Sequence, residues 1–382
     1  MKNYLNIPQK IKGKCYDGIY DCYGGAVMFY WSGVDASALS EYRAALEKKG
    51  YTLYQEHEDR NVHAATYNDC TISVHAYYLK RVGELRVITQ RTAVLPVNPY
   101  SYKELCTPSV TQLGIYNDSK VYTGMGYLIR LSDGTFVVID GGVGLDYNRD
   151  LLYDTMVEQK PDGMDSIVIS AWILTHCHGD HFGVLKSFLE NYEDRVTVRM
   201  LICNDISDYV YATTEKGTRS FDCGSVVGHF GGCVMMKAHT GQNFYFPGAT
   251  FTVLRTHEDV YPKTMHLYND VSSVVVDAVV GDTRFLWLSD VEKASAPILQ
   301  EMYGEDLKCD VMQIAHHGIG DGWDELYALC NPKIALWPAG DEVLNYKDRI
   351  RFTRPHIKYL VDTAEQMIYS AYGNHTFEFK SK

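Results

Sequence analysis

The sequence predicts an α/β protein made of two alike layered halves, preceded by a small α+β unit. Three observations carry that reading. A hairpin–Asp–helix–strand–His pattern occurs twice after residue 120. Each copy closes an apolar strand on histidine, at Leu174-Thr175-His176 and at Ile314-Ala315-His316-His317. The first hundred residues show one amphipathic helix followed by short alternating runs, the pattern of a separate antiparallel sheet.

In the N-terminal unit, taken as residues 1–100, Asp35 caps a helix from Ala36 to Lys49, with Leu39, Tyr42 and Leu46 on one face and Gly50 as its stop. Tyr51–Tyr54, Val62–Tyr67, Ile72–Leu79 and Leu85–Thr89 then read as strands. Pro96-Val97-Asn98-Pro99 reads as a linker into residues 101–382. No residue of this unit forms an interpretable chemical motif, and its tyrosines read as packing on half-exposed sheet.

The first copy of the pattern begins with a hairpin from Gly126 to Asp140, turning at Ser132-Asp133-Gly134. A helical stretch follows, then the β-branched run Ile167–Leu174, too short for a typical helix. In the second copy, Val274–Val280 turns at Gly281-Asp282, and Arg284–Leu288 ends in Ser289-Asp290. A helix near Ala294–Tyr303 leads to the strand ending in His316-His317. A helix near Pro355–Thr363 and strands near Gln366–Tyr372 and His375–Phe379 are expected to complete the second sheet. Strand ends of layered sheets gather ligands at one edge, so the two halves converge on one cleft.

The loop after Leu174 reads Thr175-His176-Cys177-His178-Gly179-Asp180-His181. A loop can aim His176 and His178 at one ion and turn Asp180 and His181 toward a second. Imidazole nitrogen with carboxylate oxygen suits zinc, iron or manganese. Asp290, at the matching strand end, is placed to bridge two cations. Consecutive extended residues face opposite ways, so one of His316 and His317 is expected to bind metal, the choice left open. Cys177 is expected to pack away from the ions.

His176-x-His178-x-Asp180-His181 after a hydrophobic strand resembles the signature of the metallo-β-lactamase-fold hydrolases, from about Thr111 to the C-terminus. Ser272–Val275, Phe285–Asp290 and Asp310–Gly318 are most similar to the branch related to the nuclease-like domain of DNA-uptake proteins. The resemblance implies a four-layer αββα sandwich holding two divalent ions, zinc first, with manganese or iron as alternatives. It implies metal ligation by His176, His178, Asp180, His181, Asp290, His316 and His317. Asp180 and Asp290 would orient an attacking water, and Asp140 would support the ligand loop by hydrogen bonding. Many relatives supply a third histidine to the first metal. Among His229, His239, His257 and His266, His257 at the end of Phe251–Thr256 is the best placed. Asn269-Asp270-Val271-Ser272 resembles an element bordering the cleft in this branch.

Such a centre implies hydrolysis by activated water, on a phosphodiester or similar small anionic ester. Carboxylic ester, lactone or thioester hydrolysis is the alternative, and a non-catalytic metal-binding regulator the reading outside the enzymes. The sequence has no Gly-x-Ser-x-Gly elbow. A net charge of −12 argues against a long phosphate-tracking groove, so extended nucleic-acid binding is not expected and a small-molecule substrate is. No run approaches the ~20 apolar residues of a membrane helix. The start lacks a secretory apolar segment and ten cysteines are scattered without pattern, so reduced thiols in the cytoplasm are the expectation.

Overall fold

The computed structural model describes residues 7–69, 71–91, 102–115, 124–214, 223–263, 270–319, 323–339 and 357–379. The expected linker at Pro96–Pro99 and His266 lie outside the described residues.

The N-terminal sheet contains β1 (Gly18–Asp21), β2 (Val27–Ser32), β3 (Thr52–Glu58), β4 (Val62–Asn68), β5 (Ile72–Leu79) and β6 (Glu84–Arg91), in the antiparallel order β1-β2-β6-β5-β4-β3. Helix α1 (Ser37–Lys48) starts where Asp35 Oδ1 accepts the Ser37 N–H at 2.9 Å. Gly50, at φ +90°, ends it as only glycine does without strain. β1 and β2 are additions to the sequence reading. Val27-Met28-Phe29-Tyr30-Trp31 does not alternate apolar with polar because both faces of β2 are covered. Phe29 and Trp31 pack under α1, whereas Met28 joins the core shared with the later domain.

The first large sheet holds β7 (Ser109–Gln112), β8 (Gly126–Arg130), β9 (Phe136–Asp140), β10 (Ile167–Leu174), β11 (Val196–Val198), β12 (Met200–Cys203) and β13 (Val234–Lys237). Its outer face is covered by α2 (Asp146–Gln159), α3 (Gly179–Asn191) and a short helix at Cys223–His229, through Leu152, Met156, Val184, Leu185, Phe188 and Val226. The second sheet runs β14 (Asn243–Phe246), β15 (Ala249–Arg255), β16 (Val275–Val280), β17 (Thr283–Trp287), β18 (Val311–Gln313), β19 (Ile334–Trp337) and β20 (Gln366–Tyr369), in that order. The helices at Ala296–Tyr303, Asp324–Cys330 and Lys358–Thr363 cover its far face. Between the sheets lies an apolar layer that includes Tyr127, Ile139, Ile173, Phe251, Val276 and Trp287. Four layers result, helix–sheet–sheet–helix.

One strand departs from expectation. β21 (His375–Glu378) does not join the second sheet but pairs antiparallel with β7, making it an edge of the first. Thr111 Oγ1 and Thr376 Oγ1 meet at 2.9 Å across that pair. The local alternation specifies a strand but not its neighbour; the open edge of β7 supplies the missing backbone partners. The N-terminal sheet is not isolated either. Met28, Val62, Ala64, Tyr77, Leu79 and Ile88 share a core with the helical layer of the second sheet.

Candidate metal centre

β10 delivers Thr175 and His176 to the cleft, and α3 begins at Gly179, so Asp180 and His181 occupy its first turn. From the other half, β17 ends just before Ser289 and Asp290, and β18 just before His316 and His317. The halves are stitched together there. Val274 N–H donates to Thr175 O at 2.9 Å, and Ser289 Oγ donates to Thr175 Oγ1 at 2.7 Å. Gln313 locks the second strand end by accepting the Ser289 N–H at 2.6 Å and donating to Ser289 O at 3.1 Å.

Six of the seven ligand candidates meet in two groups, and His316 stands at their edge. In the first, His176 Nε2 lies 3.2 Å from His178 Nδ1 and 3.6 Å from Asp290 Oδ2. In the second, His181 Nε2 and His317 Nε2 stand 3.3 Å apart, with Asp180 Oδ2 3.4 Å from His317. Asp290 Oδ2 is 3.2 Å from His181 and 3.5 Å from His317, so a single carboxylate oxygen faces both groups. His316 Nε2 adds itself 3.9 Å from that oxygen, and its Nδ1 faces Glu292 at 3.1 Å.

Asp270 is the residue that sequence reasoning placed only at the border. Its Oδ1 lies 2.7 Å from His178 Nδ1 and 3.5 Å from His176 Nε2, inside the first group. His257 is not there. It stands in a different group with Cys22 and Glu258, and its Nε2 meets Asn204 Oδ1 at 2.9 Å. His239 is bound to Glu258, and His229 lies at the surface beside Glu193. The reason is local: Thr256 caps a one-turn helix at His257–Val260, which sets the His257 ring against Asn204 and not in the cleft. The Asn269-Asp270 dipeptide was the one available signal, but a turn aspartate before a strand has no distinctive spacing.

Both His316 and His317 face the cleft. The expected alternation fails because neither is extended: their φ angles are +46° and +54°, in the left-handed region. Asp140 and Ser289 share that conformation, at φ +56° and +53°. Four strained residues at matching strand ends mark a site held open against local preference.

The proton pattern identifies what these groups face. His181 Nδ1–H donates to Asp140 Oδ2 at 2.8 Å, and His317 Nδ1–H donates to Pro338 O at 2.8 Å. In the neutral rings, the form that binds metal, their Nε2 atoms are therefore the bare ones, and they point at each other. Asp140 is fixed in turn by Thr175, whose N–H and hydroxyl both donate to it at 2.8 Å. Asp290 Oδ1 is buried without a hydrogen-bond partner. Donors 2.0–2.1 Å from a tetrahedral zinc-sized ion stand about 3.3–3.4 Å apart, close to the spacings in both groups. The residues fit divalent cations, and Asp290 Oδ2 faces both donor groups.

Electrostatics agree. Burial lowers the pKa of His181, but the Asp290 and Asp140 carboxylates outweigh it and hold it well above the usual range. Burial also opposes charge on His317, yet Asp290 and Asp180 push it up to about 10. Burial would raise Asp180, but its bond to His317 and the charge of His181 hold it below the ordinary carboxylate range. Protons here stand in for positive charge that the carboxylates demand. Cys177 turns the opposite way, into the core under α3, with Sγ 3.7 Å from Cys223 Sγ. The side chains of His178, Asp180 and His316 are 32%, 23% and 21% exposed, whereas the other ligand candidates are nearly closed off, so the cleft opens along that rim.

Residues 121–216, which carry the ligand loop, match the family model described as the metallo-beta-lactamase superfamily. That match supports the superfamily. The layered architecture is the metallo-β-lactamase-type αββα sandwich behind a small α+β unit. Among solved structures, the metallo-β-lactamase fold protein YhfI from Bacillus subtilis is similar at 15% identity and a TM-score of 0.41, over 71% of this chain and 99% of that one. CmlA, a diiron β-hydroxylase from Streptomyces venezuelae, is similar at 12% identity and a TM-score of 0.41, over 76% of this chain and 55% of that one. A Cronobacter sakazakii metallo-β-lactamase mutant is similar at 14% identity and a TM-score of 0.34, over 68% and 94%. No curated protein sequence matches the chain. Among the described residues, no helix is long and apolar enough to cross a membrane.

Proposed function

We propose that this protein is a metal-dependent hydrolase of a phosphodiester or similar small anionic ester. The observation that carries the reading is the pair of donor groups sharing Asp290 Oδ2. His176, His178, Asp270 and Asp290 would hold one ion; Asp180, His181, His317 and Asp290 the other, with His316 at the shared edge. Zinc suits these nitrogen and oxygen donors, as do manganese and iron. Divalent ions bound there supply Lewis acidity that brings the pKa of water toward neutrality and offsets charge developing on the substrate.

The protein's own residues do the positioning. Asp140 fixes the His181 tautomer, and Pro338 O fixes that of His317, so each presents a lone pair inward. Asp180, at the open rim, would orient an incoming water. Asp290, more deeply set, holds the two donor groups in register. The exposed imidazole edges of His178 and His316 border the path by which an anionic ester would approach. The similarity of Phe285–Asp290 and Asp310–Gly318 to the DNA-uptake branch is kept as a proposal about kinship, since a net charge of −12 does not favour a nucleic-acid track.

A panel of bis-(p-nitrophenyl) phosphate, p-nitrophenyl acetate and a lactone tests the substrate class, with metal content measured by elemental analysis. The diester is expected to turn over, and turnover and bound metal are expected to fall together in Asp290→Ala. Turnover of the acyl compounds alone would replace the phosphodiester reading with the carboxylic ester one. Metal bound without hydrolysis of any ester would favour a regulatory protein.

A further inference from the structure

A second group of metal-binding side chains lies where the N-terminal sheet meets the larger domain. Cys22 Sγ, a ring nitrogen of His257 and a carboxylate oxygen of Glu258 lie within 4.8 Å of one another, all three residues buried. Cys22 comes from the turn between β1 and β2, and the other two from the short helix after β15. None of them belongs to the centre described above.

The surrounding hydrogen bonds assign the protons. Asn204 Nδ2 donates to Ala238 O at 2.6 Å and to Glu258 Oε1 at 3.0 Å, which fixes the amide orientation. Asn204 Oδ1 must then accept from His257 Nε2, at 2.9 Å. His257 Nδ1 is left as a bare lone pair, fully buried and without a hydrogen-bond partner. Such an orphan is costly unless something electrophilic meets it. His239 Nδ1–H donates to Glu258 at 2.9 Å, the arrangement by which an imidazole supports a ligating carboxylate. The His239 ring is itself seated on His75 of β5, with centroids 5.1 Å apart and 18° between planes. The Lys237 ammonium faces the same group, near the Gly24 turn, and opposes a cation there. Burial holds the free Cys22 thiol protonated, so an ion entering the site would displace that proton, and the resulting thiolate with the Glu258 carboxylate would outweigh the single charge.

We propose that Cys22, His257 and Glu258 form a separate site for a zinc-like transition-metal ion that ties the N-terminal sheet to the larger domain. A thiolate and an imidazole in one set select such an ion over magnesium or calcium. The site does not depend on the hydrolase reading.

Full-length protein reconstituted with cobalt(II) tests it. The main centre offers nitrogen and oxygen donors, so thiolate-to-cobalt charge-transfer absorption in the near ultraviolet would report this second site. The band is expected in wild-type protein and in His178→Ala, and is expected to disappear in Cys22→Ser with the loss of one equivalent of metal. His257→Gln should weaken the same band, and serves where Cys22→Ser does not fold. Absence of the band from cobalt-loaded wild type, or its persistence in folded Cys22→Ser, overturns the proposal.

Discussion

Asp140→Asn isolates the chemistry of the ligand loop with very little change of shape. Asp140 Oδ1 accepts the Thr175 backbone N–H, a donor that cannot rotate away, so the asparagine oxygen must remain there. The amide NH2 then takes the place of Oδ2, which now accepts from Thr175 Oγ1 and His181 Nδ1. Thr175 can turn its hydroxyl. His181 cannot adapt so cheaply: with a donor facing Nδ1, its proton moves to Nε2, the nitrogen 3.3 Å from His317 Nε2 that should hold the ion. Loss of a supporting bond of this kind weakens metal binding about 10–100-fold, about 1.4–2.8 kcal/mol. Folding should survive, because asparagine tolerates the left-handed backbone at φ +56°. Titration of metal-free protein with zinc against a chromophoric chelator measures the affinity, and a thermal melt of the metal-free form checks the fold. Affinity within about twofold of wild type in a folded variant would refute the tautomer argument.

Further expectations follow from other parts of the structure. Asp270→Ala should empty the His176–His178 side and spare the His181–His317 side, read as roughly halved metal content by elemental analysis; unchanged content would remove Asp270 from the ligand set. His75 is buried and neutral, accepting from Thr66 and donating to Thr240 O, and burial depresses its pKa to about 3 from an ordinary 6.5. The unfolded chain therefore binds a proton that the native state refuses, and stability should fall as pH drops from 6.5 toward 3, by about 1.4 kcal/mol per pH unit from this group. Urea denaturation at several pH values checks this, with a shallower acid slope expected for His75→Gln. At Gly183, an added Cβ would sit 2.3 Å from Gly144 N and 3.0 Å from Gly142 O, both rigid backbone. Gly183→Ala should destabilise by roughly 1–3 kcal/mol and lift α3 with the ligands in its first turn, seen as a lower melting temperature and weaker metal binding.

What could be read from residues in order is what short spacing determines. Ile167–Leu174 is apolar and β-branched, so its strand, and the ligand loop leaving it, follow from local preference. The repeated hairpin, aspartate and strand-end histidine made it legible that both halves meet, because strand length and turn chemistry are encoded within a few residues. The order of strands was less accessible: β21 alternates like any edge strand, and only the open edge of β7 selects its partner.

The full ligand set was decided in three dimensions. Asp270 stands in a turn with no spacing rule, nearly a hundred residues from His176, where only packing could bring it against the imidazoles. His316 and His317 both face inward because the Gln313 clamp and the contact to Ser289 O hold the chain in a left-handed turn. His257 left the cleft for the same kind of reason, drawn by a capped helical turn into contact with Asn204 and the N-terminal sheet. Local sequence sets which residues carry lone pairs and charge; burial of distant apolar faces against each other sets which of those groups share a few ångströms of space.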